Sequence, residues 1–210
     1  MTNTATATAV QQQVTAADIS YDGQRIELES GWYAIVKTEY DENMGAPWKE
    51  HDGHGEVSEW RHYDPRDGDA GKRSGERVLC RDGRSARFYD FARAVETARK
   101  DGWGCSHWGD GKYPVPLDTS KTRENYAGHT TAREMAACAA DQDFRFLQRW
   151  CNGDWQWISV IVTLFDADGA KVDHDALSGI ESDGDYWKVV AAEIVNTLAG
   201  GVCAANEVSL

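Results

Sequence analysis

The stretch from Trp157 to Leu198 leaves the chain the fewest choices. Ile158, Val160, Val162 and Leu164 alternate there with Trp157, Ser159, Ile161, Thr163 and Phe165, so both sides of an extended segment are mainly apolar. A strand wet on one side alternates apolar with polar residues, so this one is expected at the centre of a sheet with both faces covered. Asp168-Gly169 is a residue pair favoured in tight hairpin turns, and a half-exposed return strand carrying Lys171, Asp173 and Asp175 is predicted from Ala170 to Ile180. Ser182 and Asp185 have the spacing of a capping box, with Asp in place of Glu. Tyr186, Val190, Ile194, Thr197 and Leu198 share one helical stripe, which Gly200-Gly201 is expected to end. From these segments a helix laid over a sheet is expected.

The rest of the chain extends this pattern. Residues 1–17 are Thr, Ala and Gln with few large apolar groups, which suits a loose arm. Strands are predicted from Ile26 to Leu28 and from Trp32 to Tyr40. Residues 41–69, rich in Gly, Asp, His and Trp, show no period apart from a short strand expected at Glu56 to Trp60, and a connection of that length is more often functional or mobile than merely linking. Strand residues return at Arg77, turn at Asp82-Gly83 and continue from Ser85 to Tyr89. Asp90 then caps a helix on which Phe91, Val95 and Ala98 share a face, ended by Gly102. A second irregular stretch, Trp103 to His129, precedes a helix predicted from Thr131 to Trp150. Thr131 and Glu134 have capping-box spacing, and Met135, Cys138, Phe146, Leu147 and Trp150 are the apolar positions. The expected fold is α+β, a mostly antiparallel sheet with strand hairpins and about three helices packed on it. Residues 18–210 are expected to form one domain, with 18–128 and 129–210 as its sub-lobes if it divides.

Charge narrows the partners. The chain of 210 residues has a net charge of −13, which disfavours phosphate-rich surfaces, so neither direct nucleic-acid binding nor membrane binding is expected. Along the sequence the charge is uneven: residues 16–60 and 114–210 are each −8, while residues 61–113 are +3. The basic segment holds Arg73, Arg77, Arg81, Arg84, Arg87, Arg93 and Arg99 around Phe88 and Tyr89. Such segments can bind RNA or single strands, which the acidity of the whole chain counts against, or pair with the protein's own acidic parts or with an acidic patch on a partner. Five cysteines, an odd number without a Cys-x-x-Cys pair, suit a reducing cytosol; the first residues lack an apolar core and a basic lead-in, so no secretory leader is expected, and no stretch approaches the length of a membrane span.

Three constellations bear on chemistry. His51, His54, Cys105 and His107 offer a His-x-x-His and a Cys-x-His pair, residue types that zinc accepts, in the two irregular stretches. Cys105 and His107 are also the types of a thiol nucleophile and its base, but alternate residues of an extended loop point apart. Asp166, Asp168, Asp173 and Asp175, with His174, bracket the C-terminal hairpin, where Gly169 comes too early for a calcium loop and the closing Glu is missing. No metal, cofactor or catalytic residue is assigned from these patterns.

Gly179-Ile180-Glu181-Ser182, followed by Gly184-Asp185-Tyr186-Trp187 and a Val/Ala-rich helix, resembles the C-terminal part of uncharacterised proteins carried by bacteriophages and plasmids of actinobacteria and proteobacteria. Arg87-Phe88-Tyr89-Asp90-Phe91 is similar to an earlier block of that group. The resemblance implies a mobile genetic element as the setting and carries over no site residue. Small acidic proteins without a catalytic signature in that setting often act by binding host machinery, as inhibitors of CRISPR complexes and restriction enzymes do. The expectation is therefore a non-enzymatic inhibitor in the host cytoplasm, acting on a host protein or nucleoprotein complex with a basic surface, in part by mimicking nucleic acid. Its partner-binding residues would be Asp41, Glu42, Glu50, Asp52, Glu56 and Glu59, then Asp173, Asp175, Asp183 and Asp185. The alternatives are a metal- or thiol-dependent enzyme using His51, His54, Cys105 and His107, and a phage structural or assembly component.

Overall fold

The computed structural model describes residues 13–67, 71–103 and 132–207. Its strands are β1 (Arg25–Glu27), β2 (Tyr33–Tyr40), β3 (Arg61–His62), β4 (Glu76–Asp82), β5 (Ser85–Asp90), β6 (Trp157–Phe165) and β7 (Lys171–Glu181). Its helices are α1 (Pro47–Glu50), α2 (Phe91–Asp101), α3 (Ala132–Cys151) and α4 (Tyr186–Glu207). Two antiparallel sheets make this an α+β fold, as the sequence predicts. The chain divides into two compact units, residues 1–44 with 155–210, and residues 45–154. These boundaries differ from a division at 128/129, because the N-terminal strands complete the sheet of the C-terminal third. Among the described residues no helix is long and apolar enough to cross a membrane.

The first unit is a four-stranded sheet in the order β1-β2-β6-β7. β6 is central, paired with β2 from Tyr33↔Phe165 to Tyr40↔Ile158 and with β7 on its other side. Val160, Val162 and Leu164 are fully buried with Ala34 and Val36, against Val190, Ala191 and Val195 of α4. Each of these Val and Leu side chains contributes about 1.5–3 kcal/mol through its removal from water, and each alanine methyl less. The opposite face departs from expectation. Ser159, Ile161, Thr163 and Phe165 are only half-buried, so apolar character on both sides of β6 did not require two covering layers. On that face Tyr33 stacks on Phe165 at 4.9 Å, with the Arg25 guanidinium 3.5 Å above the tyrosine ring.

The ends of α4 also differ from the sequence reading. Asp185, not Ser182, directly precedes the helix, and Ser182 instead joins its backbone N–H and hydroxyl to the backbone of Gln156. Gly200-Gly201 does not end α4, which runs on to Glu207; a helical glycine costs about 1 kcal/mol and does not by itself break a helix. Tyr186 and Thr197 are exposed, so the buried stripe is Val190, Ala191, Ile194, Val195 and Leu198. The N-terminal segment is held from Val14 onward. Asn196 of α4 accepts from the Val14 N–H at 2.9 Å and donates to its carbonyl at 2.8 Å.

The second unit is a three-stranded sheet in the order β3-β5-β4, with α2 and α3 packed on one face. Asp90 caps α2 by accepting from the Arg93 N–H at 3.0 Å, and Gly102, left-handed at φ 79°, ends it. Leu79, Tyr89, Ala94, Ala140 and Leu147 form the core under the helices, while Tyr63, Ala86 and Phe88 cluster on the other face. The strand expected at Glu56 to Trp60 is reduced to a single bridge, Val57↔Tyr89, and regular pairing resumes at β3. The proposed cap Thr131 lies outside the described residues.

Candidate interaction surface and polar clusters

The first acidic group anticipated from the sequence does not form one free surface. Asp41 is buried, 3% exposed, and is a structural group. One of its oxygens accepts from Asn43 N–H and the other from Gly179 N–H, each at 3.0 Å. Gly179 sits where β7 carries an extra residue between the pairs Ile158↔Ile180 and Val160↔Leu177, and its φ of 73° suits glycine. A bulge leaves a donor without a ladder partner, and Asp41 supplies the acceptor. The exposed Glu50 accepts from Gly45 N–H at 3.0 Å, Glu56 pairs with Arg93 at 2.8 Å, and Glu59 with Arg87 at 3.4 Å. Glu42 and Asp52 are exposed.

The second group stands on better ground. From Lys171 to Ser178 every residue of β7 is exposed. Between Asp166 and Asp185 the strand and its two turns hold Asp166, Asp168, Asp173, Asp175, Glu181, Asp183 and Asp185 against Lys171 alone. Asp173 and Asp175 share a face of the strand, opposite Leu164 and Val162 of β6. Each also accepts, at 2.8 Å, from the backbone N–H of the residue after it, His174 and Ala176. Asp166 organises the hairpin turn by accepting from Asp168 N–H and Ala170 N–H, and Asp185 pairs with Lys188 at 2.7 Å.

Charge therefore follows the units. The first unit holds sixteen Asp/Glu and four Lys/Arg, a net of −12, while the second holds nineteen and eighteen, a net of −1. In the second unit the basic segment meets its own carboxylates. Arg77 pairs with Asp141 at 2.6 Å and lies 3.4 Å over Phe91, and Arg61 pairs with Glu76 at 2.6 Å. Arg66 grips Asp64 through Nε and Nη2, and this guanidinium, with the Arg66 backbone N–H, holds the Asp64 carboxyl below the usual carboxylate range. A cavity of about 300 Å³ beside this pair is lined by Tyr63, Arg66, Arg81 and Arg84.

Two further clusters in the second unit escaped the sequence reading. The Asp143 carboxylate, on α3, receives Tyr89 Oη at 2.7 Å and Gly55 N–H at 2.8 Å on one oxygen, with His54 Nδ1 at 2.6 Å from the other. His54 stacks on Phe146, with ring centroids 5.6 Å apart. Burial pushes the Tyr89 hydroxyl far up, and the Asp143 charge and hydrogen bond add to it. The second cluster is a thiol pair, Cys80 on β4 and Cys151 at the end of α3, in hydrogen-bond contact. A carboxylate set beside Phe144, Phe146 and Leu147 was the one visible signal of the first; nothing local announced the second.

Of the metal-type residues, His54 is turned to Asp143, His51 is exposed just past α1, and Cys105 and His107 lie outside the described residues. Among the described residues no three His, Cys, Asp or Glu side chains are grouped to hold a metal ion, the hairpin aspartates and His174 included. Comparison with protein-family models, with curated proteins and with solved structures gives no match for this chain.

Proposed function

We propose that this protein is a non-enzymatic binding protein that presents its acidic unit to a basic, nucleic-acid-binding surface of a host protein complex, of the CRISPR or restriction type. The observation that supports this most is the strip along β7. Seven carboxylates against one lysine lie on and around a strand that is exposed over eight successive residues. Residues two apart on an antiparallel strand are about 6.8 Å apart, so Asp173 and Asp175 offer a regular row to Lys and Arg side chains. Asp173, Asp175, Asp183 and Asp185 are the contact residues in this reading. Asp41 is withdrawn from it, and Glu56 and Glu59 are secondary because arginines of their own unit already hold them.

The test is inhibition of DNA cleavage by purified CRISPR effectors and restriction enzymes, with and without the protein. An effective inhibitor should weaken steeply between about 0.05 and 0.5 M NaCl, because exposed charges are screened within about 10 Å at 0.1 M. Asp173→Lys with Asp175→Lys should reduce inhibition at least tenfold while the far-ultraviolet spectrum is kept. Inhibition unchanged by salt and by the double substitution would overturn the assignment.

A second reading, an enzyme, draws on one observation. The carboxylate behind His54 Nδ1 orients the imidazole as a general base is oriented. Asp143 is at the same time engaged by Tyr89 and Gly55, which is how a buried carboxylate ties a loop to a sheet. His54→Ala leaves the inhibitory activity intact if the first reading holds.

A further inference from the structure

The thiol pair of the second unit arises from a defect in a strand. In the β4–β5 hairpin Asp82, Arg81 and Cys80 face Ser85, Ala86 and Arg87 in order, but Val78 faces Phe88, so Leu79 is an extra residue. A bulge turns the side chains beyond it to the other side of the sheet. Cys80 therefore shares a face with Arg87, Tyr89 and Arg77, the face that carries the helices, and not the face of Val78 and Phe88. The last residue of α3, Cys151, packs on that same helix-side core, and its thiol is in hydrogen-bond contact with Cys80. Two thiols far apart in the sequence, on a strand and a helix end, are thus held side by side, each only half-buried.

We propose that Cys80 and Cys151 form a reactive dithiol that closes to an intramolecular disulfide in exchange with a small-molecule disulfide such as glutathione disulfide, with Cys80 attacking and Cys151 resolving. The Cys80 thiolate attacks one sulfur of glutathione disulfide, that S–S bond breaks, and one glutathione thiolate leaves. The Cys151 thiolate then attacks the Cys80 sulfur of the mixed disulfide and expels the second glutathione. Two protein thiols are oxidised, one glutathione disulfide is reduced to two thiols, and the two protein protons end on the glutathione. The surroundings assign the roles. The Cys151 thiol donates to the Cys80 sulfur and, against the cost of burial, lowers Cys80 to about 7, helped by the backbone N–H and guanidinium of Arg87. The same hydrogen bond and burial push Cys151 up. The attacking thiol is most effective when its ionisation lies near ambient pH, and the partner in contact then captures the mixed disulfide. In a reducing cytosol such pairs are open and close only under oxidation, which makes them sensing or transfer groups and not structural staples.

The test incubates the full-length protein with glutathione disulfide, quenches it with acid and maps the peptides by mass spectrometry. The expected product has lost two hydrogens and contains a peptide pair joined through Cys80 and Cys151. In Cys151→Ser, Cys80 should accumulate as the mixed disulfide with glutathione; in Cys80→Ser, Cys151 should react at least tenfold more slowly than Cys80 does in the parent. Reduced parent protein, analysed alongside, reports that both residues begin as thiols. A parent protein that stops at glutathionylated Cys80, or that joins either residue to Cys105, Cys138 or Cys203 instead, would overturn the proposal.

Discussion

Several side chains in this protein do work that only their distant partners explain. Asp143 is the acceptor for three donors from two other segments, and Gly55, one of those donors, lies so close to Tyr89 that an added Cβ would stand 2.5 Å from the tyrosine hydroxyl. Asp143→Ala leaves His54, Tyr89 and Gly55 without their shared acceptor and should cost about 3 kcal/mol, read from the urea midpoint; Tyr89→Phe, which removes one donor, should cost about 1 kcal/mol. Gly55→Ala should be destabilising by about 1–3 kcal/mol, since the ring it would strike is tied in place. Cys80 should be alkylated by iodoacetamide half-maximally near pH 7, faster as pH rises because the thiolate is the nucleophile, with Cys138 and Cys151 reacting only at higher pH. None of these roles was legible in the sequence. Asp41 reads as one carboxylate among many until its partner Gly179, 138 residues away, is brought to it, and the bulge at Leu79 reverses the side that alternation would give Cys80.

At the level of elements the local signals carried well. The period of β6, the Asp90 cap and Gly102 stop of α2, and the Asp-Gly hairpin turns all act within a few residues, so each could be read directly. What the pattern understated was the exposure of β7, predicted as half-exposed, because that depends on its place at the sheet edge. A free edge invites another strand, and this one is guarded. Two register shifts interrupt it, and Asp173 and Asp175 turn back onto the N–H groups of His174 and Ala176, so those donors are already occupied. Val172 and Leu177, 43% and 48% exposed, would otherwise make the edge adhesive. Asp173→Val with Asp175→Val should therefore promote self-association, seen by light scattering as a molar mass that rises with concentration. A mass equal to the parent's at every concentration would show that the bulges alone suffice.

For the whole molecule, the linear thirds of the sequence blurred a sharper division. A net of −12 on one unit and −1 on the other cannot be seen from sequence order, because the acidic unit is assembled from both ends of the chain. Like charges at that density oppose compaction, so added NaCl up to about 0.5 M should raise the melting temperature of the acidic unit through screening. A fall would show that local ion pairs, and not repulsion between like charges, dominate the stability of that unit. The discontinuity has one more consequence, for synthesis. β2 leaves the ribosome with its partner β6 more than a hundred residues behind, whereas residues 45–154 emerge as an uninterrupted block. The nearly neutral unit can therefore mature while translation continues, and the acidic one must wait, its β1–β2 pair without β6, until α4 has been made.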